Sequence, residues 1–185
     1  MTGAMAKPRV APAPREQWTA EQAAVLTPIL ESKGALNILG TFARHWPAYI
    51  AFSALGRHVM GPTSTLTARH RELIILRTAL ACEAEYEWAQ HKPQARDAGL
   101  SDAEIERVKL GPDAEGWTVT EAVLLRAVDE LVADKVVSDP VWVQLTQALS
   151  IPQIFDLIYC VGQYTMVAML AKTCGVQIDP GFSGY

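Results

Sequence analysis

The sequence predicts an all-α fold, a single-domain helical bundle, on two observations. Four segments open with Ser or Thr and carry Glu or Gln three positions later, which is the capping box that begins a helix. They are Thr19–Gln22, Ser101–Glu104, Thr118–Glu121 and Ser150–Gln153. Strand signals are nearly absent, because no run alternates cleanly between apolar and polar residues and the turn dipeptides Asn-Gly and Asp-Gly do not occur.

Nine helices are expected, and start or stop residues mark most of their ends. Glycines are the expected stops of several helices: Gly34, Gly61, Gly99 and Gly175. The helical ranges are 19–32, 35–43, 47–60, 67–82, 84–98, 102–109, 119–134, 139–148 and 152–173. Pro93 should kink the fifth helix just after His91, since it removes a backbone hydrogen bond. The last range is apolar on nearly all faces, which indicates a helix buried in the core or between subunits.

Length and charge bound the class of protein. The chain has 185 residues, 50% of them hydrophobic, which suits one domain with a sizeable core. Residues 1–17 are rich in proline, alanine and charge and are expected to form a mobile arm, with residues 18–185 as the helical domain. The formal net charge is −4 and no basic stripe is present, so a nucleic-acid partner is not expected.

Cysteine usage and apolar runs indicate the compartment. The three cysteines are widely spaced and odd in number, so they suggest no disulfide framework, and a reducing cytoplasm is the simplest location. The N-terminus lacks the apolar stretch of a secretory signal. The uncharged run 157–171 is shorter than the roughly 20 residues of a membrane span, so a soluble protein without a membrane partner is expected.

Three residues on two consecutive helices are the leading catalytic candidates. Glu87 and His91 are four apart and share a helix face, and Glu72 lies on the preceding helix among leucines. Burial and neighbours can move the pKa of such a carboxyl toward neutrality, which suits proton transfer. Glu72 and His91 are expected to meet across the two helices and to line one mostly apolar pocket. The alternatives are an arginine ion pair for Glu72 and a weakly stabilising surface pair for Glu87 and His91.

Three further residues are candidates for substrate binding, each with a structural alternative. Tyr86 could donate a hydrogen bond to a substrate oxygen, or it could pack as an amphipathic aromatic. Arg77 could bind a substrate carboxylate with its bidentate fork, or it could pair with Glu72 or Glu83. Cys82 could be a reactive thiol, or it could be a small apolar core residue.

No metal or cofactor pattern is visible in the sequence. His45, His58 and His70 belong to no H-x-x-x-H spacing, no C-x-x-C pair occurs, and no glycine-rich phosphate loop is present. We therefore expect a protein that works without a metal and without a cofactor.

Several segments together resemble the carboxymuconolactone decarboxylase family, the all-helical superfamily that includes the alkylhydroperoxidase D proteins. They are Arg69–Arg77, Tyr86–His91, Ala95–Ile105, Gly162–Met166 and Gly175–Asp179. The redox branch of that family carries Cys-x-x-Cys-x-x-x-His, with a Glu twelve residues before the first Cys. Counted back from His91, the two Cys positions hold Ala84 and Glu87, whereas Glu72 and His91 match the family's Glu and His.

The resemblance implies an alkylhydroperoxidase D-like bundle with acid–base residues but without the dithiol. Its implied activity is that of a cofactor-independent lyase of the decarboxylase type, acting on a small carboxylated or carbonyl-bearing ring compound. A hydratase, dehydratase or isomerase, a thiol-dependent peroxidase using Cys82, and a non-catalytic binding subunit remain alternatives. The resemblance also implies a homo-oligomer, either a trimer or a hexamer.

Overall fold

The computed structural model describes residues 7–33 and 37–185, and regular structure within these ranges is entirely helical. The α-helices are α1 (Ala20–Lys33), α2 (Asn37–Phe42), α3 (Trp46–Met60), α4 (Ala68–Ala81), α5 (Glu85–Asp97), α6 (Asp102–Val108), α7 (Val119–Asp134), α8 (Asp139–Ala148) and α9 (Ile151–Cys174). Short 3₁₀ turns cover Arg15–Gln17 and Ala43–His45. The predicted all-α class is confirmed.

Capping residues account for most of these helix ends. The capping boxes at Ser101, Thr118 and Ser150 are formed in full, and Thr19 exchanges the same pair of bonds with Gln22. Gly175 ends α9 with a left-handed φ of 68°, as expected for a C-terminal glycine. The expected stop at Gly34 and the expected start of the second helix at residue 35 lie outside the described residues.

The central helix is α4, which packs against α5, α7 and α9. Its residues 73–76 are completely buried, so every face of the helix in that stretch meets protein. One apolar cluster lies between α4, α7, α8 and α9, and a second joins α4 to α5 and α6 around the fully buried Trp88. Trp88 therefore fixes the rotation of α5 about its axis relative to α4.

A tight turn joins α4 to α5. Glu83 adopts a left-handed φ of 51°, the Ala84 amide donates to the Ala79 carbonyl at 2.7 Å, and the Glu83 amide donates to the Leu80 carbonyl at 3.0 Å. This is the Schellman arrangement that ends a helix and reverses the chain. α5 then continues through Pro93 to Asp97 as one helix.

Residues 7–17, which belong to the segment 1–17 that was expected to be a mobile arm, make backbone hydrogen bonds to the bundle. The Arg9 amide donates to the Cys174 carbonyl at 2.8 Å, and the Ala13 amide donates to the Gly40 carbonyl at 2.9 Å. A Cβ at Gly40 would lie 2.6 Å from the Pro12 side chain, so this close approach requires glycine. Pro14 holds an extended conformation, with φ −66° and ψ 153°, just before the first 3₁₀ turn.

Among the described residues, α9 is the one helix that is long and apolar enough to cross a membrane, by length and composition alone. Half of the most apolar stretch is buried inside the protein, and a core helix passes the same test. The buried carboxylate of Asp156 lies on this helix, where it accepts hydrogen bonds from the Thr65 amide and hydroxyl. The inner face of α9 is thus part of the core.

Candidate active site

The expected contact between Glu72 and His91 is present. Nδ1 of His91 lies 2.8 Å from Oε2 of Glu72, and both side chains are almost completely buried. Glu72 projects from the central helix α4, whereas His91 projects from α5. The Schellman turn and the buried Trp88 bring these two faces together.

Arg71 supplies the positive charge beside this pair. Its Nε lies 3.5 Å from Oε1 of Glu72, so the carboxylate faces the histidine on one oxygen and the guanidinium on the other. Nε of Arg71 is buried and has no hydrogen-bond partner among the described residues. The guanidinium therefore balances the carboxylate through charge more than through a well-formed hydrogen bond.

Glu87 lies one turn before His91 on the same face of α5. Both of its carboxyl oxygens are buried and have no hydrogen-bond partner among the described residues. Burial raises the pKa of Glu87 well above its ordinary value. The positive end of the α5 dipole favours the ionised form by at most about 2 kcal/mol, while an unpaired buried carboxylate costs several kcal/mol. Burial dominates, so Glu87 holds its proton to a higher pH than an exposed glutamate does.

The third wall of the site comes from α9. The ring of Tyr164 stands perpendicular to the His91 imidazole with 4.8 Å between ring centroids, and its hydroxyl donates to Sδ of Met60 at 3.1 Å. Cys160, one turn earlier, is completely buried. Burial raises the pKa of Cys160 and of Tyr164 well above their usual values, and the charge of Glu72 acts in the same direction. Both groups are therefore neutral and keep water away from the imidazole.

Tyr164 and Cys160 were not among the residues predicted for the site. Tyr164 falls within Gly162–Met166, a segment that carries part of the family resemblance, so that segment held a signal for it. Cys160 had no such signal, because only the rotation of α9 against α4 and α5 brings its side chain inward.

Tyr86 is directed away from Glu72 and His91. Its hydroxyl donates to Oδ2 of Asp179 at 2.8 Å and accepts a hydrogen bond from the Ile38 amide at 3.3 Å. The Gln90 side chain donates to the same oxygen of Asp179 at 2.9 Å. Residues 86 and 90 thus form a second face of α5, which binds the C-terminal segment.

Arg77 also lies apart from the pair. Its guanidinium binds Asp129 of α7 through two bonds of 2.6 and 2.8 Å, and Nη1 donates to the Val108 carbonyl at 2.8 Å. The expected alternatives, Glu72 and Glu83, are not its partners in these bonds. The arginine at the site is Arg71.

Cys82 lies at the end of α4, half-buried and bonded to the side chain of Thr165. Burial raises the pKa of its thiol above the usual value. A thiol with a raised pKa is a poor nucleophile at neutral pH, because the thiolate is the reactive form.

Two cavities lie elsewhere on the molecule. An open groove of about 680 Å³ runs beside α6 and the segment after it, and a cavity of about 100 Å³ lies between residues 8–12, α2 and residues 176–177. Neither is lined by Glu72, Glu87 or His91, so neither is the apolar pocket that was expected beside the pair. The side chains of Tyr164 and Cys160 pack where such a pocket would open. Within the described part of the chain, no three His, Cys, Asp or Glu side chains are grouped to hold a metal ion.

The part of the sequence that contains Glu72 and His91 matches a known family. Residues 47–130, from α3 to α7, match the model of the carboxymuconolactone decarboxylase family. The range includes Glu72, Glu87 and His91. No protein of curated function matches the sequence significantly.

Solved structures share the fold at low sequence identity. The alkylhydroperoxidase AhpD core of an uncharacterised peroxidase-related protein from Ralstonia eutropha JMP134 has a TM-score of 0.83 at 16% identity, covering 94% of this chain and 93% of that one. A peroxidase-related protein from Silicibacter sp. TM1040 has a TM-score of 0.79 at 18% identity over 97% and 93%. The debrominase Bmp8, as a Cys-to-Ala variant in complex with 2,3,4-tribromopyrrole, has a TM-score of 0.80 at 13% identity over 92% and 91%.

The family match and the shared fold place this chain among all-helical proteins of one architecture. Residues 47–130 thus carry the pattern of the carboxymuconolactone decarboxylase family, and the helical fold is shared with alkylhydroperoxidase D-like structures, in agreement with the resemblance of the motifs.

Proposed function

We propose that this protein is a cofactor-independent lyase of the decarboxylase type, acting on a small carboxylated or carbonyl-bearing ring compound. The observation that carries the proposal is the buried Glu72–His91 contact of 2.8 Å, with the raised pKa of the buried Glu87 on the same face of α5. A carboxylate that orients a histidine, beside a second carboxyl that retains its proton, is an arrangement for moving protons.

The proposed reaction breaks the bond between a ring carbon and its carboxylate. The electron pair of that bond stays on the carbon and delocalises into a conjugated carbonyl as an enolate, and carbon dioxide leaves. A proton from Nε2 of protonated His91 then bonds to the carbon, so a carboxylate and a proton become the product and carbon dioxide. Glu72 holds Nδ1, which fixes the orientation of the ring and directs Nε2 away from the carboxylate.

In this scheme Arg71 would stabilise the negative charge of the substrate, and Glu87 would donate a hydrogen bond to it. The guanidinium of Arg71 offers positive charge near the place where the enolate forms. A neutral Glu87 adds no negative charge to repel the substrate, and its hydroxyl can donate to an oxygen of the substrate. It can also return a proton toward His91 after each turnover.

The buried position of the pair means that a substrate must displace Tyr164. The ring of Tyr164 covers the imidazole on the side of α9, and its hydroxyl is held by a weak hydrogen bond to the sulfur of Met60. Rotation of this ring would open the apolar space that the two helices and α9 enclose.

A thiol-dependent reaction has less support. Ala84 and Glu87 occupy the positions of the dithiol, and burial raises the pKa of both Cys82 and Cys160. The peroxidase-related and debrominase structures share the fold, but their identities of 13–18% carry no activity to this chain. The same acid–base groups could also serve a hydration, a dehydration or a double-bond shift. Only decarboxylation releases carbon dioxide, so measuring that gas separates it from these reactions.

The direct test is release of carbon dioxide from a panel of ring carboxylates with a carbonyl in conjugation. The protein is assayed in buffer with a chelator and without added cofactor, with His91→Gln as the inactive variant and Glu85→Gln, on the exposed face of α5, as the matched control. We expect carbon dioxide from at least one compound with the unaltered protein and Glu85→Gln, and only background with His91→Gln. Equal release by all three proteins, or product formation without carbon dioxide, would contradict the proposal.

We further propose that the protein acts in the cytoplasm on this small molecule and assembles with copies of itself. Its negative net charge and its three unpaired cysteines support the compartment. The exposed apolar face of α9 supports the assembly.

A further inference from the structure

The outer face of α9 is a long apolar surface with no partner in the chain. Six large apolar side chains on it are 41–61% exposed: Ile151, Phe155, Ile158, Tyr159, Met166 and Met169. The remaining exposed positions of the helix are Pro152, Gly162, Lys172 and Thr173. Lys172 carries the one charge among them, and it is directed to the Cys82 carbonyl at 2.7 Å and toward Glu83.

The positions of this face are symmetric about its centre. The stripe consists of residues 151, 155, 158, 162, 166, 169 and 173, all of them exposed. Read in either direction from Gly162, the intervals are four, three and four residues. Two such helices placed antiparallel with both glycines at the crossing point would match Phe155 with Met169 and Ile158 with Met166.

Nothing inside the chain requires a glycine at position 162. The residue lies within regular α-helix, where glycine is a poor helix former, and a Cβ there would meet no atom within 4 Å. A glycine in the middle of an exposed apolar stripe has no Cβ, so it allows a second backbone to approach the helix closely. The approaching backbone must come from outside this chain.

The size of the surface suits a second copy. A fully exposed large side chain presents about 150–250 Å², so six that are roughly half exposed present on the order of 500 Å² per copy. Two copies together bury on the order of 1,000 Å², which is the lower limit of a specific interface. A patch of this size, free of charge and symmetric about one residue, fits an isologous contact with its own copy.

We propose that α9 packs antiparallel against α9 of a second copy of this chain, about a twofold axis that passes Gly162. Phe155, Ile158, Met166 and Met169 fill the interface, and Gly162 lets the two helices approach at the crossing. A hexamer would contain this contact three times. The inner face of the same helix carries Tyr164 and Cys160, so the contact also steadies the wall of the Glu72–His91 site.

The first test uses a cysteine at the crossing. In Gly162→Cys, two copies related by the axis bring their new thiols within the 4.4–6.8 Å Cα separation of a disulfide. Mild oxidation at micromolar concentration should convert most of this variant to a covalent dimer. The unaltered protein, which reports on the three native cysteines, and Gln144→Cys, on the exposed face of α8, should remain mostly uncrosslinked.

The second test uses a charge at the crossing. Gly162→Lys leaves the single chain unstrained because its Cβ has open space, but it places two charges inside the interface. In sedimentation across a concentration series, we expect the unaltered protein and Gln144→Lys to assemble and Gly162→Lys to dissociate at least tenfold more readily. Circular dichroism should show the helix content of all three to be equal.

Three results would overturn the proposal. One is a monomer at micromolar concentration for the unaltered protein. Another is an assembly at a different surface. In that case Gly162→Lys would remain assembled, and Gly162→Cys would crosslink no better than Gln144→Cys. The third is a monomer that co-sediments with lipid vesicles, which would assign the face to a membrane. None of these readouts depends on the reaction, so they are separate from the proposed activity.

Discussion

The residues of α5 divide between two environments that differ in polarity. Glu87 and His91 face α4 and α9, where Glu87 finds no hydrogen-bond partner among the described residues. Tyr86 and Gln90 face Asp179, where their polar groups are satisfied. An unsatisfied buried carboxyl lowers stability, and its persistence beside a Glu–His pair fits a role in proton transfer.

Glu87 should make stability depend on pH. Its pKa is raised in the folded state and near 4.3 in the unfolded state. Above pH ~4.3 the unfolded chain loses this proton while the folded chain keeps it, so stability falls as pH rises toward the folded pKa, by at most about 1.4 kcal/mol per pH unit. Glu87→Gln removes this dependence. Urea unfolding should show the variant gaining stability over the unaltered protein between pH 5 and pH 7, with little difference below pH 4.

Glu85→Gln is the matched control for that experiment, because Glu85 lies on the same helix with an exposed side chain. It should follow the pH dependence of the unaltered protein. An identical pH dependence for Glu87→Gln and the unaltered protein would show that Glu87 ionises normally and that its surroundings hold water or a partner.

Cys82 should be dispensable. Its raised pKa disfavours the thiolate, and no second cysteine lies at the position of the family dithiol. Peroxide turnover with dihydrolipoamide as the reductant should stay near background, and Cys82→Ser should not change it. Vigorous turnover that disappears in Cys82→Ser would place the protein in the redox branch.

The contact between Glu72 and His91 could be predicted from the sequence, but the residues that surround it could not. The spacing of Glu87 and His91, together with the family pattern, was enough to predict the contact with Glu72. The partners of Tyr86 and Arg77 could not be predicted, since Asp179 and Asp129 are 93 and 52 residues away along the chain. Such long-range pairs depend on how whole helices pack.

At the scale of helices, the local signals were strong because caps act within one turn. Three capping boxes form as expected, and every described helix end lies within two residues of its predicted position. The segment 7–17 shows the limit of such local reasoning. Its composition suggested mobility, but composition says nothing of the backbone hydrogen bonds that Arg9 and Ala13 donate to Cys174 and Gly40.

The end of α7 offers a test of helix capping. Lys135 ends this helix with a left-handed φ of 67°, which a residue with a Cβ adopts at a cost of about 1 kcal/mol. Lys135→Gly should therefore stabilise the fold by about 0.5–1 kcal/mol in urea unfolding. Asp134→Gly, one residue earlier and still helical, should instead destabilise it by about 0.5–1 kcal/mol. Equal effects of the two glycines would contradict the assigned helix end.

At the scale of the whole molecule, α9 connects the candidate site with the proposed interface. Its inner residues Tyr164 and Cys160 cover His91, while its outer residues form the apolar stripe. Hydropathy alone could predict a helix between the core and a subunit contact. Which residues face inward depends on the packing of α9 against α3, α4 and α7. These contacts between helices cannot be read from hydropathy.

The central claim is that Glu72 and His91 act as one proton-transfer unit. Glu72→Gln and His91→Ala should each lower kcat by roughly 10²–10⁴-fold on the substrate found by the carbon dioxide screen. Thermal unfolding should show both variants folded, with His91→Ala the less stable because it leaves the buried carboxylate with Arg71 alone.

The most direct measurement is the double-mutant cycle of kcat for these two residues. If they act as a unit, the double variant should be little slower than the slower single variant, because either change already abolishes the same step. A double variant whose loss equals the product of the two single losses would show that the residues act independently. Full turnover in both single variants would remove them from the chemistry altogether.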